Sequence, residues 1–570
     1  VRPSTLVPWL SLSLSLSGCA ATPGPAGASG DEQGEVGVAD EAGQTAQPRG
    51  TLEALDAALR ESWSAAGVEP SPLADDAEYL RRVSLDLIGR VPTRGEVERF
   101  LADDASDKRA GLVDALLASE DHAAYWAGRW AGRLLPDDRR TKRVAEGPLE
   151  GYLSQALHEN RPWTEVVDAL LTGEGELDDA PQLGFLAARA VRGQGREAAV
   201  AELSSTTARV FLGARIECAQ CHDHPYVDFS REDFWATAAY FGRTKVNMVR
   251  GEGPPKVTVS ERPKGQLRVA LQDDADARKQ VVRPRYMGAA AVDADPPAET
   301  TDTDSPAQRR DRLAAAIIAD PRFAEATVGQ LWTQLLGSGL VEPWDDLLVH
   351  RGERPAALTI LAEDFRAHDH DMRRLLRTIV LSQAYQRSSR PSPGVDTSPA
   401  ATHAREAAFA QAVVRPLGAE QLFASVMTAT GLEQLKGRAF RKAVRQREQV
   451  ALLEYAAVFA DDELSSADAA GEGFTGSVPQ ALLMLNGGLT NQGVIARAGG
   501  SLAQILAKSA DTDERLRDLW LTVYGRPPRA EELEIGRRAV AAKGGGTAQT
   551  EVWEDLMFAA LYSTEFSSNH

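Results

Sequence analysis

Tyr79-Leu80-Arg81-Arg82-Val83-Ser84-Leu85-Asp86-Leu87-Ile88-Gly89-Arg90-Val91-Pro92-Thr93-Arg94-Gly95-Glu96 is the stretch that decides the fold. Tyr79, Leu80, Val83 and Leu87 recur at helical spacing, and Gly89 stops the run. Past Pro92, Thr93 opens a second helix, with Glu96 three residues later in the spacing of a capping box. A helix, a glycine stop and a capped restart behind proline is the punctuation of an all-helical chain. The same punctuation returns at Gly525-Arg526-Pro527-Pro528-Arg529-Ala530-Glu531-Glu532. Two copies do not make a solenoid, because stacked repeats need at least three.

The helical pattern extends outward from this stretch. Upstream, Leu52, Leu55, Leu59 and Trp63 share one face, with Thr51 as the expected N-cap. Downstream, helices are expected near 107–118, 121–134, 148–159, 163–172 and 200–217, and Ser230 with Asp233 opens another through Tyr240. Trp126, Trp130 and Leu134 are expected core. Between 246 and 290 the period changes. Val257 and Val259, then Leu267, Val269 and Leu271, alternate on either side of Arg262-Pro263-Lys264-Gly265, which predicts a β-hairpin. Residues 289–308 read as a linker rich in Ala, Asp, Pro and Thr. The expected fold class is therefore mainly α, with two multi-helix halves, 51–245 and 309–570, joined by a small β-hairpin-containing segment and linker over 246–308.

The N-terminus has a different character. Arg2 precedes a Leu/Ser-rich stretch from Leu6 to Leu16, too short to span a bilayer, that ends Leu16-Ser17-Gly18-Cys19. This resembles a bacterial lipobox, so residues 1–19 read as a lipoprotein signal peptide with lipidation at Cys19. Ala20 lies where an inner-membrane retention signal usually has Asp, which favours the outer membrane. Residues 20–50 read as a flexible linker. The expected location is the cell envelope, with the body in the periplasm or at the cell surface and the membrane as a partner through the anchor.

The chain of 570 residues carries 63 basic and 82 acidic side chains, a net charge of −19. That balance repels phosphate backbones and excludes nucleic acid as an expected partner. Three cysteines, Cys19, Cys218 and Cys221, rule out a disulfide framework.

The chemistry is carried by Cys218-Ala219-Gln220-Cys221-His222, followed by Asp223-His224-Pro225. Cys-x-x-Cys-His is the attachment signature of c-type haem. Two thiols one turn apart add to the haem vinyl groups, and the next imidazole becomes the proximal iron ligand. Haem c on Cys218 and Cys221, with iron on His222, is the expected cofactor. Two alternatives stand beside it. Cys218, Cys221, His222 and His224 are a possible ligand set for zinc or another divalent metal, with Asp223 adjacent. Cys218 and Cys221 are also a possible disulfide clip. The distal iron ligand is left among Met248, Met287, His350, His368 and His370, or none. His368-Asp369-His370-Asp371 looks like a metal cluster but sits where Asp371 or Asp369 would cap a helix. Asp345-Asp346 could pair as carboxylates, and helix capping is the simpler expectation. Nucleotide and nucleophile-elbow motifs are absent from the sequence.

Several segments together resemble a known family. Leu80 through Thr93, Tyr125-Trp126-Ala127-Gly128-Arg129-Trp130, Asn160-Arg161-Pro162-Trp163 and Cys218 through Tyr226 resemble the planctomycete cytochrome-associated family, domain of unknown function 1549. Leu331-Trp332, Gly339 through Leu347, Ser382-Gln383-Ala384-Tyr385-Gln386, Leu485-Asn486-Gly487-Gly488 and Gly525-Arg526-Pro527-Pro528 resemble its companion, domain 1553. This chain has Gly329-Gln330 where the family tends to carry Asn-Arg. The resemblance implies a secreted, mainly helical protein found alongside c-type cytochrome modules.

The expected function is a lipid-anchored, extracytoplasmic, cytochrome-like redox protein with a redox partner. The alternatives are an extracytoplasmic metal-dependent enzyme, such as a hydrolase, and a surface scaffold. Whether the chain is an enzyme stays open at this point. Mass spectrometry of the mature protein is expected to find an acylated Cys19 as the first residue. An unmodified N-terminus at another position would refute the lipobox.

Overall fold

The computed structural model describes residues 50–191, 195–249, 255–271, 278–287, 306–350, 352, 354–432, 491, 493–542 and 547–570. Cys19, the 20–49 linker, residues 289–305 and Leu485 to Gly488 lie outside the described residues.

The fold is mainly α, as expected. The first helices are α1 (Thr51–Ala66), α2 (Asp76–Ile88), α3 (Arg94–Ala102), α4 (Lys108–Leu117), α5 (Glu120–Leu134), the single turn α6 (Arg139–Thr141), α7 (Gly147–His158), α8 (Trp163–Thr172), α9 (Gly184–Val191), α10 (Arg196–Leu212) and α11 (Arg231–Ala238). After the strands come α12 (Pro306–Ala319), α13 (Pro321–Leu336), α14 (Ala356–Ala367), α15 (Met372–Leu381), α16 (Pro399–Ala407), α17 (Ala419–Thr430), α18 (Ser501–Lys508), α19 (Thr512–Val523), α20 (Ala530–Ala542) and α21 (Thr547–Leu561). No described helix is long and apolar enough to cross a membrane.

The deciding stretch folds as its sequence predicts. Gly89 ends α2 at φ 71°, and Thr93 and Glu96 close a reciprocal capping box at the start of α3. Arg90 grips the Glu96 carboxylate with both terminal nitrogens, at 3.0 and 3.1 Å. The later copy is built alike. Gly525 also takes φ 71°, Arg526 grips Glu532 at 2.8 and 2.7 Å, and Glu532 accepts the Arg529 N–H. The copies touch, since a Cβ on Gly525 would stand 3.4 Å from Pro92.

Two details differ from expectation. Gly50, not Thr51, is the N-cap of α1, because the Thr51 hydroxyl donates to Asp364 instead. The strands flanking Arg262–Gly265 do not pair with each other. β3 (Lys256–Glu261) lies between β1 (Gly175–Glu176) and β2 (Thr244–Val249), with Val259 opposite Val246, while β4 (Leu267–Val269) pairs antiparallel with β5 (Gln280–Val282). Arg243 explains the change. Buried, it donates through Nε to the Gly265 carbonyl, and its own carbonyl accepts the Arg262 N–H, so the turn is drawn onto the end of β2. A last sheet pairs β6 (Arg415–Pro416) with β7 (Ser568–Asn569).

Helices from before and after the strands interlock: α1 packs on α14, and α10 packs on α13. One hydrophobic core runs from Leu55 to Ala410, with Trp126, Trp130 and Leu134 inside it. Trp130 packs on Trp163 at 4.4 Å between centroids, with the rings tilted by 40°. A second core joins Leu85 and Val91 to residues between Leu417 and Phe566.

Gly128 on α5 leaves room for two carboxylates: Glu420 and Glu150 oxygens lie 3.8 and 4.0 Å from where a Cβ would be. Burial first, then Glu146 and Glu420, push the Glu150 carboxyl up to about 7. The folded chain thus holds a proton that the unfolded chain releases near the ordinary value of 4.5, so this group costs stability as pH rises between those values. Glu150→Gln should raise Tm at pH 8 and leave it unchanged at pH 4. Calorimetry at both pH values checks this, and equal shifts would contradict it.

Candidate functional site

The site begins where α10 ends. The expected helix over 200–217 stops at Leu212, because Gly213 turns left-handed (φ 54°) and the Ala214 N–H reaches back to the Ala208 carbonyl. Gly213 is required there on two grounds. Its backbone conformation disfavours side chains, and a Cβ would stand 2.9 Å from Leu347 and 3.0 Å from the Trp344 carbonyl oxygen.

A short 3-10 turn, Glu217–Gln220, follows and carries Cys218, with Cys221 just beyond it. Ala219 is fully buried and anchors the turn, while both cysteines face solvent as free thiols. From α11, Trp235 Nε1 donates to the Gln220 carbonyl at 3.2 Å. Asp223 Oδ1 accepts the Arg231 N–H at 2.8 Å, and Ser230 with Asp233 forms the expected capping box.

The two histidines are held in opposite tautomers. A carbonyl only accepts, so exposed His222 donates from Nδ1 to the Asp223 carbonyl at 2.8 Å, leaving Nε2 as the lone-pair nitrogen. Buried His224 accepts the Tyr226 N–H at Nδ1 (3.3 Å) and donates from Nε2 to the Arg215 carbonyl (3.2 Å). The His224 N–H also donates to the Phe229 carbonyl.

Cys218, Cys221 and His222 are therefore brought together on one exposed turn, and His224 is turned inward as a clasp. To join a four-ligand metal set, His224 would have to release the Tyr226 N–H from Nδ1, while its Nε2–H could keep the Arg215 carbonyl. Among the described residues no group of three or more His, Cys, Asp or Glu side chains is arranged to hold a metal ion. The donors do fit covalent haem: two exposed thiols, and an imidazole whose other nitrogen is tied to a carbonyl, as axial histidines require.

The remaining candidates are dispersed. Met248 is half-buried on β2, and Met287 is fully buried against Leu212, Phe241 and Ile317. His368 pairs with Asp364. His370 packs its ring on Phe365 and Phe323, and burial lowers its pKa. Asp371 caps α15 by accepting the Arg374 N–H, so the run 368–371 is a helix start. His350 is half-buried in the loop after Leu347.

Sequence reasoning underrated Asp345 and Asp346. They cap no helix. Asp345 takes two bonds from the Arg215 guanidinium, at 2.9 and 2.7 Å. Burial raises the Asp346 carboxyl pKa, and Arg215 beside it opposes the rise. Their adjacency to the Cys218 turn spans about 120 residues of sequence and had no local signal.

Two family models match the chain in order. PSCyt2, a protein of unknown function (DUF1549), matches residues 54–246, and PSD1, a protein of unknown function (DUF1553), matches 309–540. No curated protein and no solved structure matches it. The cysteine turn falls in the first match and the Asp345–Asp346 pair in the second.

His224→Ala should destabilise the haem-free chain by about 1–3 kcal/mol, because it removes a buried ring that bonds the Arg215 carbonyl and the Tyr226 N–H. His222→Ala, at an exposed position, should stay within about 0.5 kcal/mol. Denaturant titration distinguishes them, and equal costs would contradict the clasp.

Proposed function

The chain belongs to the family that joins a PSCyt2 (DUF1549) module to a PSD1 (DUF1553) module, and from that premise we propose that it is a cytochrome-like redox protein held outside the cytoplasm by a lipid on Cys19. The observation that carries this reading is the exposed turn on which Cys218, Cys221 and the Nδ1-protonated His222 stand together. Cys218 and Cys221 would hold a haem through thioether bonds, and His222 Nε2 would be the proximal ligand. When bound, haem c supplies a one-electron iron couple. The chain's own residues orient the imidazole through the Asp223 carbonyl, tie the turn to α11 through Trp235 and Arg231, and keep His224 away from competing ligation.

An exposed attachment turn suits exchange with a redox partner protein, since electrons then need not cross the helical body. The lipid tether would keep that exchange at a membrane surface, with the outer membrane favoured by Ala20.

The test is a visible spectrum of the denatured protein, expressed with c-type maturation machinery. Thioether-bound haem survives denaturation, so a Soret band should remain and should vanish in the Cys218→Ala, Cys221→Ala double variant. Stoichiometric zinc without a Soret band would favour the metal-dependent reading. Thiols that resist alkylation until reduced would favour the scaffold with a disulfide clip.

A further inference from the structure

Arg215 joins the loop that carries Asp345 and Asp346 to the cysteine turn through its guanidinium and its carbonyl. Its guanidinium donates twice to Asp345, which is only 7% exposed. Asp346 Oδ1, beside it, is buried and accepts no bond among the described residues. The Arg215 carbonyl accepts the His224 Nε2–H that fixes the 222–226 turn. Just before it, the Gly213 carbonyl accepts the Leu347 N–H at 2.6 Å, and the bare Gly213 lets the Trp344–Leu347 segment lie against the backbone. The far side of that segment is held in turn: Arg354 donates to the Leu347 and His350 carbonyls and pairs with Glu325 of α13.

We propose that Asp345 is a positioning residue for the Cys218–His224 turn, acting through Arg215, so that the site of the first module is completed by the second. The inference rests on reading that turn as the functional site. It gives Asp345 a role that stability alone does not. The Arg215 side chain is 41% exposed, and ion pairs of that kind contribute little to folding. What Asp345 does control is the direction of the Arg215 carbonyl. Once that carbonyl moves, the His224 ring loses the acceptor that selects its Nε2–H form. The chain from His224 back to His222 then loses its fixed end.

The test uses the full chain, haem-free and reduced, with 15N-labelled histidine. In the wild type, His224 should show the signature of a single Nε2–H tautomer. In Asp345→Asn the tautomer ratio should fall about tenfold, the factor given by 1.4 kcal/mol, while Tm moves by only a few degrees. Asp345→Glu, which keeps the carboxylate, should retain the wild-type ratio. If the Asp345→Asn variant does not fold, Arg215→Gln removes the same guanidinium contact and should lower the ratio alike. An unchanged His224 signature in a folded variant of either kind overturns the proposal. Absence of a Soret band from matured wild type would instead overturn the haem reading and leave this measurement standing. Where haem is present, the variants should also shift its midpoint potential.

Discussion

The described structure depends on the charged side chains of α2. Arg81, Arg82 and Asp86 are all buried in the middle of an otherwise apolar helix, where an unpaired charge costs several kcal/mol. Each is bonded to chain far away in sequence, Arg81 through one terminal nitrogen alone. Arg81 donates to the carbonyls of Glu565, Phe566 and Ser568. Arg82 donates to the carbonyls of Tyr385, Arg387 and His570 and pairs with Glu78. Asp86 accepts from the Tyr385 hydroxyl, the Arg415 guanidinium and the Asn569 amide. Burial pushes its carboxyl upward and Arg415 offsets the push. One helix thus specifies where three later segments must lie, and the apolar cores fill in around that arrangement.

The candidate site follows the same logic on a smaller scale. Nothing in residues 218–224 could hold the turn alone, since it has four residues of 3-10 helix and two exposed thiols. Its rigidity is borrowed, from α11 through Trp235 and Asp223 and from the Trp344–Leu347 loop through Arg215. The pairing of the two modules in one chain then has a physical reason: each leaves polar groups that only the other satisfies.

Much of this was legible in the sequence wherever a feature is local. The Gly89 stop, the Thr93 box, the Ser230 box and the Asp371 cap each need only a few neighbouring residues, and each is present. The cysteine turn was legible as a spacing. The misreadings share one cause, competition from distant partners. Thr51 gives its hydroxyl to Asp364, β3 prefers β2 to the strand after the turn, and Asp345 meets Arg215 rather than a helix end. Spacing of residues in sequence carries no trace of such partners. His224 shows this most clearly, since its position two residues past His222 suggested a second ligand and its backbone partners make it a clasp.

The capture of residues 565–570 by α2 also sets an order of events during synthesis. The bonds from Arg81 and Arg82 close loops of nearly the whole described chain, and closures that long are slow. Until residues 565–570 emerge, Arg81 lacks its three carbonyl acceptors, Arg82 lacks that of His570 and Asp86 lacks the Asn569 amide. A partly made chain therefore leaves Arg81 hydrated, and the full set of bonds on α2 waits for β7. For a polypeptide that reads as exported, a latch made at residues 565–570 would leave α2 incompletely tied while the preceding chain is still being threaded.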